Sequence, residues 1–131
     1  MSNETETDEI EDPIAFFASL GNLHDAGIDS LSIEVADQIL YILVDNLHAS
    51  LEGRPDYPGE RPCAMIFLNV GNFRADVDLS DGLRIGELRV LEIADGPNPY
   101  LLEIDLNIGG SGRSKSISAS FAALGIEDLD D

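Results

Sequence analysis

Leu102-Glu103-Ile104-Asp105-Leu106-Asn107-Ile108 alternates apolar and polar residues without interruption. Successive side chains of an extended strand point to opposite faces, whereas helix faces repeat about every 3.6 residues. This stretch therefore builds a ribbon with one greasy side and one ionised side. The same period recurs in three other places. Leu31, Ile33 and Val35 alternate with Ser30, Ser32 and Glu34; Phe73, Ala75, Val77 and Leu79 with Arg74, Asp76 and Asp78; Ile117, Ala119 and Phe121 with Ser116, Ser118 and Ser120. Strands sorted in this way belong to an antiparallel sheet with one wet face.

The turns between them carry suitable chemistry. Ser80-Asp81-Gly82 separates residues 73–79 from residues 83–93, and Asp95-Gly96-Pro97-Asn98-Pro99 precedes Tyr100. Gly109-Gly110-Ser111-Gly112 is expected to close a hairpin between the last two strands. Leu83 and Ile85 share one parity while Leu88 and Val90 take the other, which places a β-bulge near Gly86. Residues 35–51 fit two patterns. Val35, Ile39, Ile42, Leu43, Leu47 and Leu51 could line one face of a helix ending at Gly53. The alternative is a turn at Ala36-Asp37-Gln38 followed by a strand Ile39–Leu47 buried on both faces. The run Ile39-Leu40-Tyr41-Ile42-Leu43-Val44 favours the strand. Residues 63–70 read as another central strand.

One helix precedes the sheet. Asp12 is an N-cap, Pro13 suits the first helical position, and Gly21 is a stop. Ile14, Phe17 and Leu20 share a face and are expected to cover the sheet as a lid. The expected fold is mainly β: an antiparallel sheet of about six strands, half-barrel or sandwich-like, with one short N-terminal helix. Residues 1–11 are expected to form a disordered acidic tail, 12–126 a single domain and 127–131 an acidic C-terminal tail.

Charge is the unusual property. The chain has 26 acidic residues against 7 basic, a net charge of −19, and Lys115 is its one lysine. Ten of the acids lie in residues 1–12 and 127–131, so the rest still carries 16 acids against 7 bases. Self-repulsion for solubility, adaptation to high internal salt and docking of a basic partner are the three competing explanations. Nucleic-acid binding is not expected, because phosphate contacts require lysine and arginine. No apolar run approaches the ~18 residues of a membrane span. A single cysteine, Cys63, permits no internal disulfide, and a cytoplasmic location is the expectation.

Leu23-His24-Asp25-Ala26 leads into residues 28–35. Later come Tyr57-Pro58-Gly59, the strand Ala64-Met65-Ile66-Phe67-Leu68-Asn69-Val70, and Asn72-Phe73-Arg74-Ala75-Asp76. Over about residues 20–122 this order resembles small bacterial β-rich domains of the immunity-protein type. The resemblance implies a compact antiparallel sheet or half-barrel with little helix. It also implies inhibition of a toxin by binding rather than catalysis, and it carries over no catalytic residues.

Several groups of residues invite chemistry. His24 beside Asp25 could make an oriented base, though neighbours on a strand face opposite ways, and a turn-and-cap role competes. Asp76, Asp78, Ser80, Asp81 and Glu87 fall near calcium-loop spacing, but Asp81 occupies the position where such a loop needs glycine. The 109–112 glycines with Arg113 and Lys115 lack the strand-to-helix setting of a phosphate loop. Cys63 reads as a buried small hydrophobe and His48 has no evident partner; with two histidines and one cysteine, no zinc set is expected. The leading expectation is therefore a binding surface on polar strand faces, with Asp76, Asp78, Glu103 and Asp105 exposed toward a basic protein. The alternative is a small enzyme or ligand-binding β-barrel with a pocket the sequence does not show, for which His24, Asp25 and Tyr41 are the first candidates. No cofactor and no metal is expected.

Overall fold

The computed structural model describes residues 7–51, 53–55, 57, 59–77, 83–93, 98–107 and 115–129. Among the described residues nine strands form one antiparallel sheet: β1 (Thr7–Ile10), β2 (Gly27–Glu34), β3 (Ile39–Val44), β4 (Cys63–Leu68), β5 (Gly71–Asp76), β6 (Leu83–Glu92), β7 (Tyr100–Asn107), β8 (Ser116–Phe121) and β9 (Ala123–Asp128). Their lateral order is β1-β9-β4-β3-β2-β6-β7-β8-β5. One helix, α1 (Pro13–Ser19), and two short 3-10 turns are the other elements among the described residues.

The count exceeds the expected six for two reasons. Thr7–Ile10 lies in the stretch expected to be disordered, yet it pairs with β9 from Thr7↔Glu127 to Ile10↔Leu124. The backbone of β9 offers hydrogen bonds that do not depend on side-chain polarity, so even an acidic segment can add a strand. Glu127 and Asp128, expected in the C-terminal tail, likewise sit at the end of β9. The second reason is bending. The β4 register against β9 runs to Leu68↔Ala123 and resumes one step further round as Gly71↔Ser120 in β5 and β8. Asn69-Val70 and Ala122 are thus adjacent corners of two long bent ribbons, tied by Ala122 N–H donating to the Leu68 carbonyl at 2.9 Å. Asn69 takes a left-handed φ of 60° at this corner, a conformation that asparagine tolerates better than most residues.

These corners fold the sheet over itself. Leu40, Ile42, Val44, Met65, Phe67, Leu124 and Ile126 from one half meet Ile85, Leu88, Leu102, Ile104, Ile117 and Phe121 from the other in a single buried core. The expected parities hold on β7 and β8, where Leu102, Ile104, Ile117 and Ala119 point inward. The β6 bulge lies where the parity switch put it, with the register against β7 shifting between Ile85 and Glu87. The turn before β3 is present at residues 35–38, and the strand reading of 39–44 is correct. This strand ends at Val44 rather than Leu47, and only alternate residues are fully buried.

Asp12 caps α1 as expected, accepting from Ala15 N–H at 3.1 Å. The lid differs in composition. Phe17 is buried and Leu20 packs against the core, but Ile14 is exposed; Pro13 is buried and Phe16 meets Phe17 edge to face at 5.2 Å. A helix this short turns only twice, so the angle at which it meets the β6 side selects the buried face. No helix among the described residues is long and apolar enough to cross a membrane.

Candidate functional site

The outer face of β6, β7, β8 and β5 is polar because every second residue of those strands turns away from the core. Residues directly opposite one another in an antiparallel pair share a face. Pairing therefore lays out two rows. One runs Glu87, Asp105, Ser116, Asp76; the other runs Arg89, Glu103, Ser118, Arg74. Arg89 is the hub. Its guanidinium lies 3.0 Å from Asp105, 3.2 Å from Glu87 and 3.3 Å from Glu103. Hydrogen bonding to Asp105 above all, with help from Glu103 and the charge of Glu87, holds the guanidinium pKa above its ordinary value. One cation thus sits among three carboxylates, and a depression of about 180 Å³ opens beside them, lined also by Ser116 and Ser118. Asp76 stands across Ser116 from Asp105, roughly 10 Å away at ordinary strand spacing.

Of the four acidic residues expected on this surface, Asp76, Glu103 and Asp105 are brought onto one face. Asp78 lies outside the described residues. Glu103 and Asp105 are committed to Arg89 rather than standing alone. Arg89, which carries the site, was not among the sequence candidates, and Glu87 was considered only for the calcium-like spacing. Their alternation with Leu88 and Val90 marks them as outward-facing, but their partners follow only from the β6–β7 register, which the bulge shifts.

Three other cations are engaged by the fold, while Arg74 is exposed on the outer face of β5. Lys115 is buried, Arg61 pairs with Asp128 at 2.7 Å, and Arg84 donates to the Asp25 carbonyl. With 26 acidic residues against 7 basic, carboxylates dominate the outward field.

His24 and Asp25 do approach each other, at 3.6 Å, contrary to the opposite-face expectation. They precede β2 rather than lying in it, and Asp25 adopts a φ of 74° that swings its carboxylate back. His24 Nδ1–H donates to the Gly86 carbonyl at 2.7 Å, so the imidazole caps the β6 bulge. Both side chains are more than half exposed. Tyr41 belongs to another part of the surface, on the outer face of β3 between Ser32 and Ile66. No described hydrogen bond joins it to the pair.

The remaining candidates have structural roles. Burial pushes the Cys63 thiol up to about 12, leaving no thiolate for nucleophilic work. His48 Nδ1–H donates to the Gly59 carbonyl at 3.0 Å, pinning the 46–61 connection. Among the described residues no group of three or more histidine, cysteine, aspartate or glutamate side chains could hold a metal ion. The 109–112 glycine loop lies outside the described residues, as do Ser80 and Asp81 of the calcium-like spacing.

Comparison of the chain with family models, curated proteins and solved structures found no match.

Proposed function

We propose that this chain is a non-catalytic binding protein of the immunity type, acting in the cytoplasm, which docks a basic protein partner through the outer face of β6, β7, β8 and β5. The observation that carries the reading is Arg89 held by Glu87, Glu103 and Asp105, with Asp76 across Ser116. Arg89 orders these carboxylates while leaving the cluster negative. A partner's lysine or arginine would add to what one guanidinium neutralises only in part. Complementary charge of this kind speeds encounter and restricts partner choice more than it adds affinity. The net charge of −19 extends the attraction over the whole molecule at low salt.

The test is capture from the source cell's lysate at low and molar salt, using the wild-type chain and a variant with charge reversal at Asp76, Asp78, Glu103 and Asp105. One basic protein recovered at low salt, released at high salt and lost with the variant is the expected result. Capture unchanged by the reversal would refute the face as the docking site.

A further inference from the structure

A second surface lies at the corner where the sheet bends. Ile33 faces the same side of the sheet as the buried Leu40, its partner on β3, yet it is 42% exposed, and Val35 beyond it is 82% exposed. No described strand pairs with β2 on its other side past Ile28. On β5, Ala75 shares the inward face with its partner Ile117, and it too is exposed. Between these two edges runs a groove of about 200 Å³, mostly apolar, lined by Ile33, Val35, Gln38, Val70 and Phe73. Its floor is held rigidly. Val70 N–H donates to the Gln38 carbonyl at 2.8 Å, and the Gln38 side chain donates back to the Val70 carbonyl at 3.2 Å.

β5 is the last strand of the sheet and pairs only with β8 among the described strands. An edge strand presents unpaired backbone donors and acceptors, and an extended peptide can add to it while seating alternate side chains in adjoining pockets. The rim says which peptide. Glu34 and Asp37, interleaved in sequence with the lining residues Ile33, Val35 and Gln38, are exposed, while Asp76 and Arg74 lie on the outer face of β5. A second copy of this chain would bring another net charge of −19 to the same edge.

We propose that the β5 edge and the apolar groove beside it accept an extended segment of alternating apolar and basic residues as an added strand. This rests on the reading that the chain captures a basic partner, and assigns to it a contact separate from the Arg89 face.

The probe is a fluorescent octapeptide alternating valine and lysine, with two controls: the same peptide N-methylated at alternate residues, and its glutamate-for-lysine counterpart. Binding by anisotropy in low salt is expected for the first peptide only. Ile33→Glu and the more exposed Val35→Glu should each weaken it at least tenfold. A Glu103→Gln/Asp105→Asn variant should leave it within twofold. Retention of binding by that variant, with no capture of a basic protein from lysate, would keep the groove while removing the Arg89 face. Equal affinity for the N-methylated peptide would overturn strand addition, because charge alone would then account for binding. Concentration-dependent dimerisation abolished by Val35→Glu would overturn the proposal in favour of a second copy.

Discussion

Phe67 and Phe121 meet edge to face with ring centroids 5.0 Å apart, although β4 and β8 share no hydrogen bonds. The contact exists because β8 runs on through Ala122 into β9, which does pair with β4. Tyr100 also stacks on Phe121, with ring centroids 5.4 Å apart. Both phenylalanines are fully buried. Phe121→Ala should lower the unfolding free energy by about 3–5 kcal/mol, as large-to-small changes of buried aromatics do. Urea denaturation measures it. A loss under about 1 kcal/mol would mean that the two halves of the sheet do not close on this ring.

Gly27 and Asp45 form a reciprocal pair. Gly27 N–H donates to Asp45 Oδ1 at 2.8 Å, and Asp45 N–H donates to the Gly27 carbonyl at 2.9 Å. A Cβ on residue 27 would lie 2.6 Å from Asp45 Oδ2, so the carboxylate must shift. Gly27→Ala is expected to cost about 1–3 kcal/mol through the lost hydrogen bond and displaced carboxylate. The Gly27→Ala/Asp45→Ala double variant should cost clearly less than the two singles together. Strict additivity in thermal or urea unfolding would count against the clash.

Asn46 is buried and organises the long connection between β3 and β4. Its Oδ1 accepts from His48 N–H and Arg61 N–H, both at 3.0 Å, and its Nδ2 donates to the Tyr57 hydroxyl at 2.9 Å. Asn46→Ala strands these partners and should destabilise by about 1–3 kcal/mol. Amide exchange at His48 and Arg61 should accelerate more than exchange in β7. Uniform acceleration would show that Asn46 has no local role.

Cys63 gives a chemical readout of the core. Burial dominates in raising its pKa from the ordinary 9.0 to about 12; Asp128 adds to the effect and Arg61 opposes it. An aromatic disulfide reagent at pH 8 should leave the native thiol intact and titrate one thiol per chain in denaturant. The folded state holds this proton more tightly than the unfolded state. The associated stability is therefore fully present below pH 9 and lost as pH rises toward about 12. Replacing Cys63 by alanine should flatten that alkaline decline. A decline that persists unchanged would assign it to other groups.

The outward carboxylates were legible one strand at a time. Glu103 and Asp105 alternate with Leu102 and Ile104, which is enough to turn them away from the core. Their capture by Arg89 was not legible, because it depends on which residues of β6 lie opposite β7, and the bulge at Gly86 changes that by one. His24 and Asp25 misled for a related reason. Treated as strand neighbours they diverge, but the left-handed backbone of Asp25 brings their side chains together.

From the sequence alone came the period-2 strands, the Asp12-Pro13 helix start, the Gly86 bulge and the acidic balance, since each depends on local chain geometry or on composition. Tertiary structure alone decided that β4 and β8 continue round corners, that Thr7–Ile10 pairs with β9, and that Ile33 and Val35 border an open groove. Those features arise from contacts between segments far apart in the chain, and no local spacing of apolar residues encodes which edge meets which.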